Sequence, residues 1–261
     1  LFARETAEST YPPPRPQLFA RAGVTAVAVE IGTCSCPGCR DGLEPFTLEH
    51  FREWAADLTL DSGEDWELEP FQEAIVADIF AGFREVWALL PEGNAKTTLM
   101  AGVALYHAEH TRQPWVPIGA ASRDQAEILF AQAAGFVHRS DRLDRRVFRV
   151  FEGYRKITCL LMGGRGIKVY AADVATGDGV IPTLAIIDEL HRHKDLRLYR
   201  LWKGKLGKRG GQIAMISTAG EPGSEFEEVR ETIKRLAVKR DRDGCHLRAE
   251  GKRLVYHEWQ V

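Results

Sequence analysis

The chain has 261 residues, 44% of them hydrophobic and 28% charged, which is enough to bury a sizeable core without disulfide staples. Thirty-five basic residues against 37 acidic ones leave a net charge of −2. That excludes a protein that wraps nucleic acid through a global basic excess, so any such contact must be local, transient or shared among subunits. No apolar run approaches the ~20 residues of a membrane span, and the polar, proline-rich start (Tyr11-Pro12-Pro13-Pro14-Arg15-Pro16) does not read as a signal peptide; a cytosolic protein is expected.

Residues 1–20 read as an arm, followed by a short apolar segment, Val24 to Ile31. Cys34, Cys36 and Cys39 then form Cys-Ser-Cys-Pro-Gly-Cys. Three thiols around a Pro-Gly turn could hold zinc, with His50 the nearest candidate for a fourth ligand, or could form a plain reduced loop. Thr47 to Leu58 has helical spacing of Leu48, Phe51, Trp54, Ala55 and Leu58, with Thr47 as N-cap. Asp61 to Glu67 is an acidic loop, and Pro70 to Phe83 a second helix.

From here short apolar strands alternate with helices. Val86–Leu90 is a strand, Thr98–His110 a helix, Val116–Ala121 a strand and Asp124–Ala134 a helix. Lys156–Leu161 and Ile167–Ala172 are a strand pair about the turn at 163–166. Thr183–Ile187, Gln212–Ile216 and Leu254–Trp259 are further strands, and Glu225–Val238 a helix. Alternation of this kind predicts an α/β fold whose mostly parallel sheet is covered by helices on both faces. The basic groups Arg139, Arg142, Arg145, Arg146, Arg149 and Lys203, Lys205, Lys208, Arg209 read as solvated faces.

Three strand ends carry chemistry. After Val86–Leu90 comes Pro91-Glu92-Gly93-Asn94-Ala95-Lys96-Thr97-Thr98. A loop at a helix N-terminus cradles phosphates with backbone N–H groups, a lysine reaches the terminal phosphates, and a hydroxyl joins the Mg²⁺ shell. Here Leu90 and Ala95 replace the two glycines of the strict pattern. Leu184-Ala185-Ile186-Ile187-Asp188-Glu189 ends a strand in paired carboxylates. Asp188 suits the metal shell and Glu189 suits polarising a water. Ile213–Ile216 ends in Ser217-Thr218-Ala219-Gly220, hydroxyls that could sense a γ-phosphate. The three in this order read as a P-loop NTPase of RecA/ASCE-like type, using ATP and Mg²⁺.

These motifs resemble those of the large terminase subunits of tailed bacteriophages. The loop 91–98 resembles their irregular Walker A motif, and Ala121-Ser122-Arg123-Asp124-Gln125-Ala126 is similar to their segment after the second core strand. Ala175-Thr176-Gly177-Asp178-Gly179, with Ile186-Ile187-Asp188-Glu189-Leu190-His191, is similar to their Walker B region. Ile216–Gly220 resembles their coupling motif. The resemblance spans roughly residues 66–225. It implies an ATPase motor, residues 66–261, preceded by an arm and cysteine-containing subdomain at 1–65. It also implies a separate nuclease domain that this chain does not contain.

The nucleotide would be held by Gln72, Gly93, Asn94, Ala95, Lys96, Thr97, Thr98, Ser217 and Thr218, the metal by Thr97 and Asp188, with Glu189 and Lys96 catalytic. Partners implied are double-stranded DNA, a small terminase subunit, a portal protein and further copies in a ring, with no membrane, in the host cytoplasm. An arginine finger is open among Arg123, Arg139 and Arg165, because Asp178 stands where some relatives carry one. Glu92 replaces a basic residue common early in the loop. A weakened P-loop scaffold and a helicase-like translocase are the alternatives.

Overall fold

The computed structural model describes residues 34–163, 166–171, 179 and 181–260; the segment Val24–Ile31, Arg165 and Asp178 lie outside them. The N-terminal part is helical. α1 (Pro37–Arg40) follows the cysteine turn, α2 (Leu48–Ala55) starts at the side-chain cap Thr47, and α3 (Pro70–Phe80) starts at a capping box between Glu69 and Gln72.

β1 (Glu85–Leu89) then leads through the loop into α4 (Lys96–His110), and β2 (Trp115–Ala120) into α5 (Arg123–Arg139), which Ser122 caps. β3 (Phe148–Phe151), β4 (Lys156–Cys159) and β5 (Gly166–Ala171) follow. The chain continues through β6 (Leu184–Asp188), α6 (Arg197–Lys205), β7 (Gln212–Ser217) and α7 (Glu225–Leu236) to β8 (Lys239–Asp243), β9 (His246–Glu250) and β10 (Leu254–Trp259).

The ten strands among the described residues join one sheet in the order β3-β4-β5-β2-β6-β7-β1-β10-β9-β8. The six central strands, β5 through β10 in that order, pair in parallel, and the two strands added at each side pair antiparallel. The parallel strands are apolar without alternation because both faces are covered. Val86, Ala88, Ile186, Ala214 and Ile216 point to the core shared with α2–α5. Trp87, Leu89, Ala185, Ile187, Ile213 and Met215 point to the core shared with α6 and α7.

Five of these elements were not expected from the sequence: α1, β3, α6, β8 and β9. α6 arises in the basic stretch read as a solvated face, yet it buries Tyr199 and Trp202 while its lysines stay outward. Arg142 also departs from a solvated face, pairing with Asp57 at 2.6 Å and with the fully buried Glu109 at 2.5 Å. The helix expected at Asp124–Ala134 runs five residues further, to Arg139. Among the described residues no helix is long and apolar enough to cross a membrane.

Residues 46–66 pack on α4 rather than standing apart. Phe51, Trp54 and Phe80 surround the Tyr106 ring. Trp66 stacks on Phe136 of α5 and covers Gly102, where an added Cβ would meet the indole at 2.3 Å. Burying each such aromatic side chain contributes about 2–3 kcal/mol.

Candidate functional site

Parallel strands end on the same edge of a sheet, so β1, β6 and β7 bring their carboxyl ends together. Leu89 is level with Ser217, and Asp188 with Ile216. β7 lies between the other two, and backbone bonds tie the three ends: Leu90 N–H donates to the Ser217 carbonyl at 2.9 Å, Glu189 N–H to the Ile216 carbonyl at 2.8 Å. The sequence-predicted residues at these three ends therefore sit together.

The loop after β1 turns through two left-handed residues, Gly93 (φ +80°) and Ala95 (φ +45°), and Ala95 is the N-cap of α4. A left-handed alanine costs roughly 1 kcal/mol. The chain thus reaches this loop conformation without the second glycine, at some strain. Asn94 Nδ2 donates to the carbonyls of Pro91 and Glu92 across the turn. Lys96, the first residue of α4, is buried. Its ammonium donates to the Pro91 carbonyl at 3.0 Å and lies 3.4 Å from Glu189 Oε1. Thr97 and Thr98 follow on the first turn, half-buried.

Asp188 is 1% exposed and neither carboxylate oxygen has a hydrogen-bond partner. Desolvation, reinforced by the neighbouring Glu189 charge, pushes its pKa up to about 7, against the pull of Lys96. A buried, unpartnered carboxylate is costly and is the arrangement a cation relieves. The site therefore fits a divalent ion at Asp188, with the Thr97 hydroxyl on the helix that starts alongside. Glu189 takes a left-handed backbone (φ +47°). Burial alone would raise its pKa, but His191 and Lys96 hold it below the ordinary carboxylate value.

Two residues absent from the expected site complete it. His191 Nδ1 lies 3.2 Å from Glu189 Oε2 and 2.9 Å from Ser217 Oγ, and its Nε2 is 3.1 Å from Thr218 Oγ1, so one imidazole links the Glu189 carboxylate to the hydroxyls at the end of β7. Arg192 pairs with Glu92 at 3.1 Å. The acidic replacement in the loop thus points outward to a cation following β6 and leaves the phosphate side clear.

Beside the loop opens a cleft of about 410 Å³, lined by Phe71 of α3, Asn94, Trp259 and Gln260 among others. The Phe71 and Trp259 rings stand 6.0 Å apart. Gln72 is buried one residue further along α3, and its side-chain oxygen accepts from the Glu69 N–H in the capping box. The strand expected at 254–259 placed Trp259, but nothing in the sequence signalled that β10 would lie next to β1.

Of the arginine-finger candidates, Arg139 is committed elsewhere, to the Thr59 carbonyl at 2.8 Å and Asp61 at 2.7 Å, anchoring the acidic loop. Arg123 opens α5, after β2.

The three cysteines also converge. Cys34, Cys36 and Cys39 meet His110, the last residue of α4, with ligand atoms within 4.8 Å of one another. His50, the expected fourth member, lies against Cys39 but is not in that tight set. Seventy residues of separation hid His110 from a spacing argument.

The family model of the terminase large subunit, ATPase domain, matches residues 70–235. No curated protein sequence gives a significant match. Among solved structures, the large terminase of bacteriophage HK97 superposes with a TM-score of 0.60 at 22% identity, over 66% of this chain and 38% of that one. The large terminase ATPase domain of Thermus phage P74-26 gives 0.52 at 18% identity, over 67% and 73%. The UvsW helicase of bacteriophage T4 gives 0.51 at 12% identity, over 74% and 71%. This chain therefore spans well under half of the HK97 protein, and these likenesses carry the fold, a P-loop-type α/β ATPase architecture. With its loop, paired acids and coupling strand inside a match that covers well over half its length, the chain belongs to the family of terminase large subunit ATPase domains.

Proposed function

We propose that this chain hydrolyses ATP to drive double-stranded DNA into a viral procapsid, acting in a ring of copies on a portal with a small terminase subunit to present the DNA, in the host cytoplasm. The observation that carries the chemistry is the orphaned Asp188 carboxylate, set beside Glu189 and Lys96 at one edge of a parallel sheet. Family membership and the likeness to phage terminases support the packaging role.

Bound Mg²⁺, held by Asp188 and Thr97, would supply charge neutralisation at the phosphates. The backbone N–H groups at the start of α4, from Asn94 to Thr98, would cradle the phosphates. Lys96 would leave the Pro91 carbonyl and Glu189 for the γ-phosphate, where charge develops. Releasing that ion pair frees Glu189 to orient a water and take its proton, so phosphate binding itself arms the base. His191 would hold the Glu189 carboxylate in place and report its state to Ser217 and Thr218. Phe71 and Trp259 would flank the base in the cleft, with Gln72 supporting that wall.

The test is Mg²⁺-dependent ATP hydrolysis by the purified chain beside Glu189→Gln. The variant should keep ATP binding and lose about 10²–10⁴ in turnover. Unchanged turnover removes Glu189 from its role, and absent nucleotide binding by the parent chain favours a scaffold. ATP-driven strand separation without packaging of duplex DNA would favour a helicase-like translocase, the reading the T4 UvsW likeness in fold keeps in view.

A further inference from the structure

At the end of α4 opposite the phosphate loop, four soft or borderline ligands face one another in a closed pocket. The backbone N–H of Cys36 donates to Cys34 Sγ, and that of Cys39 to Cys36 Sγ, each at 3.4 Å. Such bonds stabilise thiolates. Cys36 is fully buried and Cys34 and Cys39 are half-buried. His110 Nδ1 is 2.8 Å from the Tyr106 carbonyl, one turn back on its own helix. That contact can only be a donation from Nδ1–H, so Nε2 is the ring nitrogen that faces the sulfurs and is left for a metal to take. It lies 3.4 Å from Cys34 Sγ and 3.6 Å from Cys36 Sγ. A tetrahedral ion bound at about 2.3 Å by sulfur and about 2.0 Å by nitrogen requires sulfur–nitrogen edges of about 3.5 Å. Those two edges are already at that spacing, and all four ligand atoms lie within 4.8 Å of one another.

From this geometry we infer that Cys34, Cys36, Cys39 and His110 form a structural zinc site clasping the N-terminal segment to the far end of the phosphate-loop helix. Three thiolates and an imidazole with no open position select zinc, while magnesium and calcium require oxygen ligands. His50 is a positioning residue rather than a ligand. The Tyr106 hydroxyl accepts from the Phe46 N–H at 2.9 Å and lies 2.8 Å from His50 Nδ1, to which it can give its own proton. His50 Nε2–H is then directed at Cys39 Sγ, 3.3 Å away. Imidazole and hydroxyl partners of this kind orient ligands in metal sites.

The Cys34 thiol donates to Glu109 at 3.0 Å. On zinc binding that proton and those of the other thiols pass to solvent. Glu109 stays satisfied by Arg142 and by the Trp54 indole N–H at 2.7 Å.

The experiment is metal analysis of the reduced, folded full chain after removal of free metal, followed by cobalt(II) titration of the zinc-depleted chain. One zinc per chain is expected, released by a thiol-blocking mercurial, and cobalt should give the thiolate charge-transfer absorption of a tetrahedral three-sulfur site. His110→Ala should lose at least tenfold in zinc affinity, and His50→Gln should keep one zinc per chain. Cys159→Ser is the control for a buried cysteine outside the cluster. Failure of the folded parent chain to bind zinc or cobalt overturns the site, and needs no variant to fold. An unchanged cobalt spectrum in His110→Ala, or loss of metal in His50→Gln alone, overturns the ligand assignment. Neither result depends on ATP turnover, so this site and the packaging reading fail separately.

Discussion

Asp188 shows what a catalytic edge costs a fold. Its carboxyl is buried and unpartnered, and it holds its proton to about pH 7, against about 3.8 for an unburied group. A raised carboxylate pKa means the folded state binds a proton the unfolded chain has already released. Its contribution to stability is therefore intact below about pH 4 and is lost as pH rises toward 7. At about 1.4 kcal/mol per pH unit, the loss is at most about 4 kcal/mol by pH 8. Asp188→Asn should stabilise the nucleotide-free chain at pH 8 by about 1–3 kcal/mol, with a gain that shrinks steadily down to pH 5. Urea denaturation across that range measures it; a gain independent of pH would contradict the ionisation account. Asp188, Glu189, Ser217 and Thr218 were legible because each ends or directly follows an apolar strand, and Lys96 and Thr97 because a short turn carries the chain to them from one. His191, Arg192 and Trp259 were not, since their partners depend on which strands become neighbours and on where Glu189 turns.

At the scale of elements, the least legible part was the C-terminal side of the sheet. β8 is Lys-Arg-Asp-Arg-Asp, exposed throughout, and offers no apolar pattern to read. β9 alternates only weakly, with Ala249 its one buried residue. Their place is fixed by tertiary contacts instead. Asp78 of α3 receives a two-pronged pair from Arg248 of β9, at 2.7 and 2.8 Å, and lies 2.8 Å from His257 Nε2 of β10. Burial works against this carboxylate, but His257 and Arg248 hold its pKa below the ordinary value. Asp78→Ala would take the two-pronged partner from the guanidinium, which keeps Glu250, and leave His257 Nε2 without its carboxylate. Breaking a fully buried pair costs about 3–5 kcal/mol; partial exposure of Arg248 reduces the expected loss to about 2 kcal/mol. Because β10 lies next to β1 and carries Trp259, the same variant should also weaken nucleotide binding. A midpoint shift in denaturation without any change in nucleotide affinity would separate the strut from the cleft.

For the whole molecule, sequence periodicity gave the parallel centre, since strands buried on both faces are uninterrupted apolar runs. It was silent on width, since a ten-stranded sheet needs outer strands that face water. Among the described residues that width leaves two margins with no further strand, and an unpaired row of backbone N–H and C=O groups is a template on which another chain can add a strand. β8 is the margin on the β1 side, with cations and anions mixed along all five exposed residues. An incoming strand would have to bury those charges, or match both signs in register. The margin therefore guards the dispersed state of a chain with almost no net charge to keep copies apart. Replacing Lys239 and Asp241 by valine leaves net charge unchanged yet should make light scattering rise with concentration above that of the parent, while ATP turnover per folded chain is preserved.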